Sequence, residues 1–161
     1  MTQSQQRRRD RRESSPSQPP LDDADRCILD VLGEDGRATL SQLAEASGLS
    51  VSAAQSRVRR LEDRGVIMGY RAVINEELRG LPIAAFVSVT PLDYSQEAEI
   101  PRRLEGIEGI TACYSVAGSQ SFMLRVRVAS PGMLEELLNR IHREVPAATQ
   151  SIMILQTYFE R

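Results

Sequence analysis

The 161-residue chain contains no lysine and no tryptophan, one histidine and two cysteines. Each scarcity excludes something. Cys27 and Cys113 are far apart and form no CxxC, which argues against a disulfide scaffold and against a zinc site. The single histidine, His142, has no ligand-spaced partner and reads as a helix-surface residue. Three Phe and four Tyr are too few for a base-stacking platform on single-stranded RNA. No phosphate loop, acid/base pair or metal cluster is visible, so the chain reads as a non-enzyme without a cofactor. No apolar run approaches membrane-spanning length and no signal peptide opens the chain, so the expected setting is a reducing cytoplasm.

What is present begins with arginine. All 20 basic residues are Arg, against 22 acidic residues, for a net charge of -2. A nucleic-acid partner therefore requires positive charge gathered in one region. Residues 1–20 carry five arginines among Gln, Ser and Pro, with no aliphatic residue after Met1. Such a segment buries too little to offset its ordering entropy and is expected to be a disordered basic tail.

From Leu21 the pattern is helical. Asp22 or Asp23 can cap a helix bearing Cys27, Ile28, Val31 and Leu32, which Gly33 and Gly36 end. Thr39-Leu40-Ser41-Gln42 fits a capping box, and Gly48 a left-handed terminus. Ser50 then caps a third helix, to about Arg64 and Gly65. Three short helices, the last two joined by a glycine turn, are a helix-turn-helix. Val66–Ile74 reads as a strand, a wing or linker.

On the third helix Val51, Ala54, Val58 and Leu61 share the side expected to pack. Ser52, Gln55, Ser56 and Arg59 face the other way, with Ser50 at the N-terminus. Small hydroxyls permit close approach to a duplex, while Gln and Arg can make bidentate contacts to adenine and guanine. Arg57, Arg60 and Arg64 occupy the flanks and suit phosphates. The expected partner is double-stranded DNA.

Residues 76–82, with Gly80 and Pro82, read as a hinge between a 21–75 DNA-binding domain and an 83–161 domain. The second domain reads as strand (Ile83–Thr90), helix (Ser95–Glu105), strand (Ile110–Val116), strand (Phe122–Val128), helix (Pro131–Glu144) and strand (Thr149–Phe159). That order, βαββαβ, is the ferredoxin-like split motif, giving an α+β chain overall. Its sheet carries helices on one face only, and a second copy is the usual cover for the other.

The segments Leu21-Asp-Asp-Ala-Asp-Arg26, Gly36-Arg37-Ala38, Leu43-Ala44, Gly48-Leu49-Ser50, Arg57-Val58-Arg59-Arg60-Leu61-Glu62, Gly65-Val66-Ile67 and Gly69-Tyr70 resemble the Lrp/AsnC family of leucine-responsive, or feast/famine, regulators. Ala112-Cys113-Tyr114-Ser115-Val116-Ala117-Gly118 looks like that family's C-terminal domain. The resemblance spans roughly residues 21–159. It implies a winged helix-turn-helix joined to a ferredoxin-like domain, dimers through the sheet, and tetramers or octamers built from them. It implies a nucleoid-associated transcription regulator of amino-acid or nitrogen metabolism.

It also implies an amino-acid effector bound near the loop between the second and third strands of the C-terminal domain. The corresponding positions are Tyr114, Ala117, Gly118, Ser119, Gln120, Ser121, Thr149 and Ser151. Here the chain departs from the family, which usually has Thr or Ser followed by Gly-Asp-x-Asp. Ala117-Gly118-Ser119-Gln120-Ser121 supplies neither carboxylate, so the natural partner of an ammonium group is missing. An architectural DNA organiser without a metabolite switch is the competing reading, and a regulatory subunit of an enzyme a remote one.

Overall fold

The computed structural model describes residues 19–159; the basic-tail expectation falls outside these apart from its last two residues. The chain divides into two compact units between Val73 and Ile74.

The first unit holds α1 (Asp23–Glu34), α2 (Leu40–Ser47) and α3 (Val51–Asp63). Each start is set by one side chain. Asp22 accepts from the Asp25 N–H, Thr39 from the Gln42 N–H, and Ser50 from the Ala53 N–H. The first two are full capping boxes, with Asp25 and Gln42 returning a bond to the cap backbone. Gly48 sits at φ +68°. Its N–H reaches Glu45 O at 3.3 Å, and the Leu49 N–H reaches Ala44 O at 2.9 Å. These bonds satisfy carbonyls that the end of α2 would otherwise orphan, and they turn the chain within two residues. Ile28, Leu43, Ala44, Ala54, Val58 and Leu61 form the core between the helices. Each large aliphatic side chain there contributes about 1.5–3 kcal/mol on burial.

Val51, expected among the packed residues, is 48% exposed. It lies in the first turn of α3, beyond the cluster that Ala54, Val58 and Leu61 join. The strand expected over 66–74 is also absent. The Val66 and Ile67 N–H groups fold back on Leu61 O, and no strand pairs with residues 68–74. Met68 and Val73 are almost fully exposed. A β-prone run becomes a strand only when a neighbour satisfies its backbone, and among the described residues none does.

The second unit contains β1 (Ile83–Pro91), α4 (Ile100–Leu104), β2 (Ile110–Ser115), β3 (Phe122–Val128), α5 (Pro131–Glu144) and β4 (Ala147–Ile154). The helix expected from Ser95 is split: Tyr94–Glu99 is a 3₁₀ segment and α4 follows. Pro101 explains the break, because it has no N–H to continue a ladder and prefers a first turn. The last strand begins two residues earlier than expected and ends at Ile154, five residues short. Ala84 pairs with Ile154, and β1 starts at Ile83, so residues beyond 155 have no partner strand.

All pairings are antiparallel, in the order β2-β3-β1-β4. Ala85, Val87 and Val89 of β1 and Phe122, Leu124, Val126 and Val128 of β3 pack with Leu134, Leu137 and Ile141 of α5. Strand alternation sends Phe86 and Ser88 to the opposite face, in register with Arg125 and Met123 of β3 and with Ile152 and Gln150 of β4. No helix of the described residues is long and apolar enough to cross a membrane.

Candidate nucleic-acid interface

The α3 helix stands on the apolar cluster through Ala54, Val58 and Leu61, and this fixes what faces outward. Ser52, Gln55, Ser56 and Arg59 are all exposed. They form one continuous hydrophilic face, as their spacing requires. Ser50 is exposed and has two tasks. Its hydroxyl caps the helix through the Ala53 N–H at 3.2 Å and lies 3.2 Å from the Ser52 hydroxyl.

The three flanking arginines are partly buried, and each has a protein partner. Arg57 donates to Asp22 and, at 3.1 Å, to Asp25. Arg60 Nη2 lies 2.7 Å from both carboxylate oxygens of Asp25. Arg64 donates to Pro19 O at 2.8 Å. Arg59 makes no ion pair among the described residues. The Arg57 guanidinium, then the Asp25 N–H, hold the Asp22 carboxyl below its ordinary range. Asp22, then Asp25, hold Arg57 more firmly protonated in return.

Asp25 is the residue of this arrangement that sequence reasoning missed. Its side chain is 1% exposed, beside fully buried Ile28. A signal existed: an acid three residues before Ile28, on the packed side of a helix, demands cations from another element. At the far end of α3, the Tyr70 hydroxyl donates to Glu62 at 3.0 Å. Burial and then that carboxylate push the phenol up from its ordinary value.

In the second unit the β2–β3 loop is closed by the Val116 N–H on Ser121 O at 3.0 Å, and the Ser121 N–H donates to Val89 O at 3.2 Å. Gly118 has φ +155°, and Ala117, Gly118 and Ser119 are exposed. A Cβ on Gly118 would stand 3.8 Å from Gln120 Oε1, in ordinary contact, so Gln120 folds back over the turn. Tyr114 pairs with Met123 and lies on the Ser88 face of the sheet. Thr149 and Ser151 pair with Val89 and Val87 and lie on the helix-bearing face. Thr149 also meets His142 Nε2 at 2.9 Å. The loop and Thr149 thus share one end of the sheet, while Tyr114 points to the other side. A cavity of about 490 Å³ lies elsewhere, between α4 and β2, lined by Pro101, Leu104, Ile110 and Cys113 among others. Burial raises the Cys113 thiol above its ordinary value.

Comparison with known proteins agrees with both units. Residues 21–68 match a family model described as winged helix-turn-helix DNA-binding, and residues 84–161 one described as the Lrp/AsnC ligand binding domain. The HTH-type transcriptional regulator LrpA of Mycobacterium tuberculosis is 56% identical over 139 residues, covering 86% of this chain and 93% of that protein. The proline dehydrogenase transcriptional activator of Rhizobium radiobacter is 32% identical over 144 residues, covering 87% and 92%. The crystal structure of the feast or famine regulatory protein from M. tuberculosis complexed with L-methionine superposes with a TM-score of 0.85 at 55% identity, covering 88% of this chain and 96% of that one. With its capped tri-helical unit, its βαββαβ sheet and these relatives, the chain belongs to the Lrp/AsnC family of HTH-type transcriptional regulators.

Proposed function

We propose that α3 enters the major groove of specific DNA sequences and that the chain regulates transcription by doing so. The observation that carries this reading is the exposed face Ser52, Gln55, Ser56 and Arg59, opposed to a fully apolar buried side. Gln55 and Arg59 have the donors and acceptors to read adenine and guanine, and Ser52 and Ser56 adapt to either. Ser50 lies at the end that approaches the bases. Arg64 meets phosphate with the donors its protein partner leaves, while Arg57 and Arg60, expected from sequence to do the same, are tied to Asp22 and Asp25 and border the groove as neutralised flanks. The protein works in the cytoplasm at the nucleoid, on targets in amino-acid or nitrogen metabolism, and has no catalytic role. The 21–75, 76–82 and 83–161 division assigns DNA binding to the first segment, flexing to the second and assembly to the third.

The open sheet face supports assembly with further copies of the chain. Tyr114 and Ile152 are half exposed there and Phe86 is 36% exposed, while no helix of the described residues covers them. Water-exposed apolar groups arranged on one sheet favour a second copy, giving a dimer and, by further contacts, a tetramer or octamer.

The effector is an amino acid. A 55% identical relative is complexed with L-methionine. Ala117, Gly118, Ser119, Gln120 and Ser121 are the loop we assign to it, with Tyr114, Thr149 and Ser151. Tyr114 lies on the opposite side of the sheet from Thr149 and Ser151, so one copy cannot surround one ligand with all of them. A site between copies can. Ser119 and Ser121 stand where the resemblance puts carboxylates, and Gln120 offers the ammonium only a neutral carbonyl; this favours a second reading, an architectural protein with a weak or silent switch.

Selection of duplexes from a random library by the full chain tests the main reading. Convergence on one motif is the expected result. Equal retention of all sequences would leave only the architectural reading.

A further inference from the structure

The groove-entering helix carries its arginines close together, at 57, 59, 60 and 64. A helix so charged should attach to any duplex, because phosphate attraction carries no sequence information. The structure disposes of this charge unequally. Arg57 and Arg60 lie one turn apart and both turn back onto the N-terminus of α1. There Asp25 is buried with four hydrogen bonds to its two oxygens: Arg57 Nη1 at 3.1 Å, Arg60 Nη2 at 2.7 Å to each oxygen, and the Asp22 N–H at 3.3 Å. Asp22 adds a second carboxylate to Arg57. Two carboxylates face two guanidiniums, so the cluster carries no net charge. Arg59 points to the other side of α3 and takes no part in it.

We propose that Asp25 is a positioning residue for DNA recognition: by holding Arg57 and Arg60 against α1 it leaves Arg59 as the reader and keeps the two flanking charges from binding duplexes indiscriminately. The inference rests on the reading that α3 enters the major groove. It has two physical consequences. The carboxylate fixes the rotation of α3 about its axis, since two side chains one turn apart are tied to the same point on α1. It also lowers the counterion release that binding can gain, because an arginine already paired with a carboxylate displaces fewer ions from the duplex.

The test uses the full chain, a duplex selected from a random library by the wild type, and a scrambled duplex of the same composition. Affinities are followed against salt by fluorescence anisotropy. In Asp25→Asn the volume is kept and the charge removed. On the scrambled duplex its log–log salt slope is expected to steepen by between about 0.9 and 1.8, the contribution of one or two phosphates. The ratio of selected to scrambled affinity is expected to fall about tenfold. A merely structural carboxylate would lower the melting temperature and leave slope and ratio unchanged, and that result overturns the proposal. Should Asp25→Asn prove unfolded by circular dichroism, Asp22→Asn decides. Asn remains a good N-cap, and Arg57 and Arg60 are then left with Asp25 as their one shared carboxylate, so one guanidinium charge is uncompensated; a slope steeper by about 0.9 is expected, and an unchanged slope overturns the proposal. A wild type that fails to separate the two duplexes would instead remove the DNA-reading assignment itself, and this inference with it.

Discussion

Both carboxylate oxygens of Asp25 stand 2.7 Å from Nη2 of Arg60, joining the first turn of α1 to α3 across 35 positions of sequence. The Asp25 side chain is 1% exposed and that of Arg60 is 42% exposed. Removing the acid leaves two cations facing an apolar hole. Asp25→Ala should therefore destabilise the N-terminal unit by about 2–4 kcal/mol, somewhat less than for a fully buried pair because Arg60 still meets water. Urea unfolding of the full chain, followed by helix content, measures it. A loss under about 0.5 kcal/mol, the size of an ordinary surface change, would mean the pair is incidental.

Base reading and phosphate holding predict different defects. Arg59→Ala should cost about 1–3 kcal/mol of binding and blur one position of the selected motif. Arg64→Ala should weaken all sequences alike and flatten the salt dependence by a slope of about 0.9. Shift titrations against single-base variants of the motif separate the two. An unchanged base preference in Arg59→Ala would take that residue out of the groove.

Acid should weaken the α1–α3 junction with a definite sign. The Asp22 carboxyl is held below its usual 3.8, first by Arg57 and then by the Asp25 N–H. The unfolded chain therefore takes up this proton before the folded one does, and protonation favours unfolding. The resulting stability is fully present above 3.8 and is lost as pH falls through the lower folded value. Thermal midpoints of wild type and Asp22→Asn should differ near pH 7 and converge below about pH 4. A gap that stays constant with pH would show that the carboxylate charge contributes nothing.

These residues also mark what a sequence can disclose. The caps at Asp22, Thr39 and Ser50 are legible because each bonds a backbone group within three residues of itself. The outward face of α3 is legible from helical period alone. Of the Asp25 cluster only the need for a cation is legible, from an acid on the packed side of α1; which arginines answer it is not, because 35 residues separate the acid from Arg60 and nothing local ties them. The β-prone 66–74 run misleads for a related reason: propensity belongs to the segment, whereas a ladder needs a neighbour. Pro101 carries more weight than helical spacing does, since a proline seven residues into an expected helix is better read as a new first turn. The loop at 117–121 is found by resemblance, but only the strand register shows Tyr114 and Thr149 on opposite faces of the sheet.

The open face of the sheet should be sensitive to charge. Phe86 of β1 and Ile152 of β4 are register partners, 36% and 54% exposed, with no helix of the described residues over them. A glutamate at either position would have to be desolvated on assembly, at a cost of several kcal/mol. Sedimentation velocity should therefore find Ile152→Glu shifted toward monomer while circular dichroism finds its fold intact. An unchanged assembly would mean that another surface joins the copies.

The loop at 117–121 can be given a carboxylate in place of its one long neutral amide. Ser119 and Ser121 stand at the two carboxylate positions of the Gly-Asp-x-Asp pattern, and Gln120, near the Gly118 turn, is the neutral amide between them. A charge-assisted bond to an ammonium group is roughly twice as strong as a neutral one, a gain of about 1 kcal/mol or more. Gln120→Glu should then tighten amino-acid binding about five- to tenfold, most visibly for L-methionine, and calorimetry with a panel of amino acids reads the change directly. An N-acetylated amino acid, which has no ammonium, should gain nothing from the substitution. Equal gains for both ligands would mean that the new carboxylate acts on the loop itself. A panel silent for wild type and variant alike would exclude an amino-acid switch at this loop and favour an architectural role for the protein.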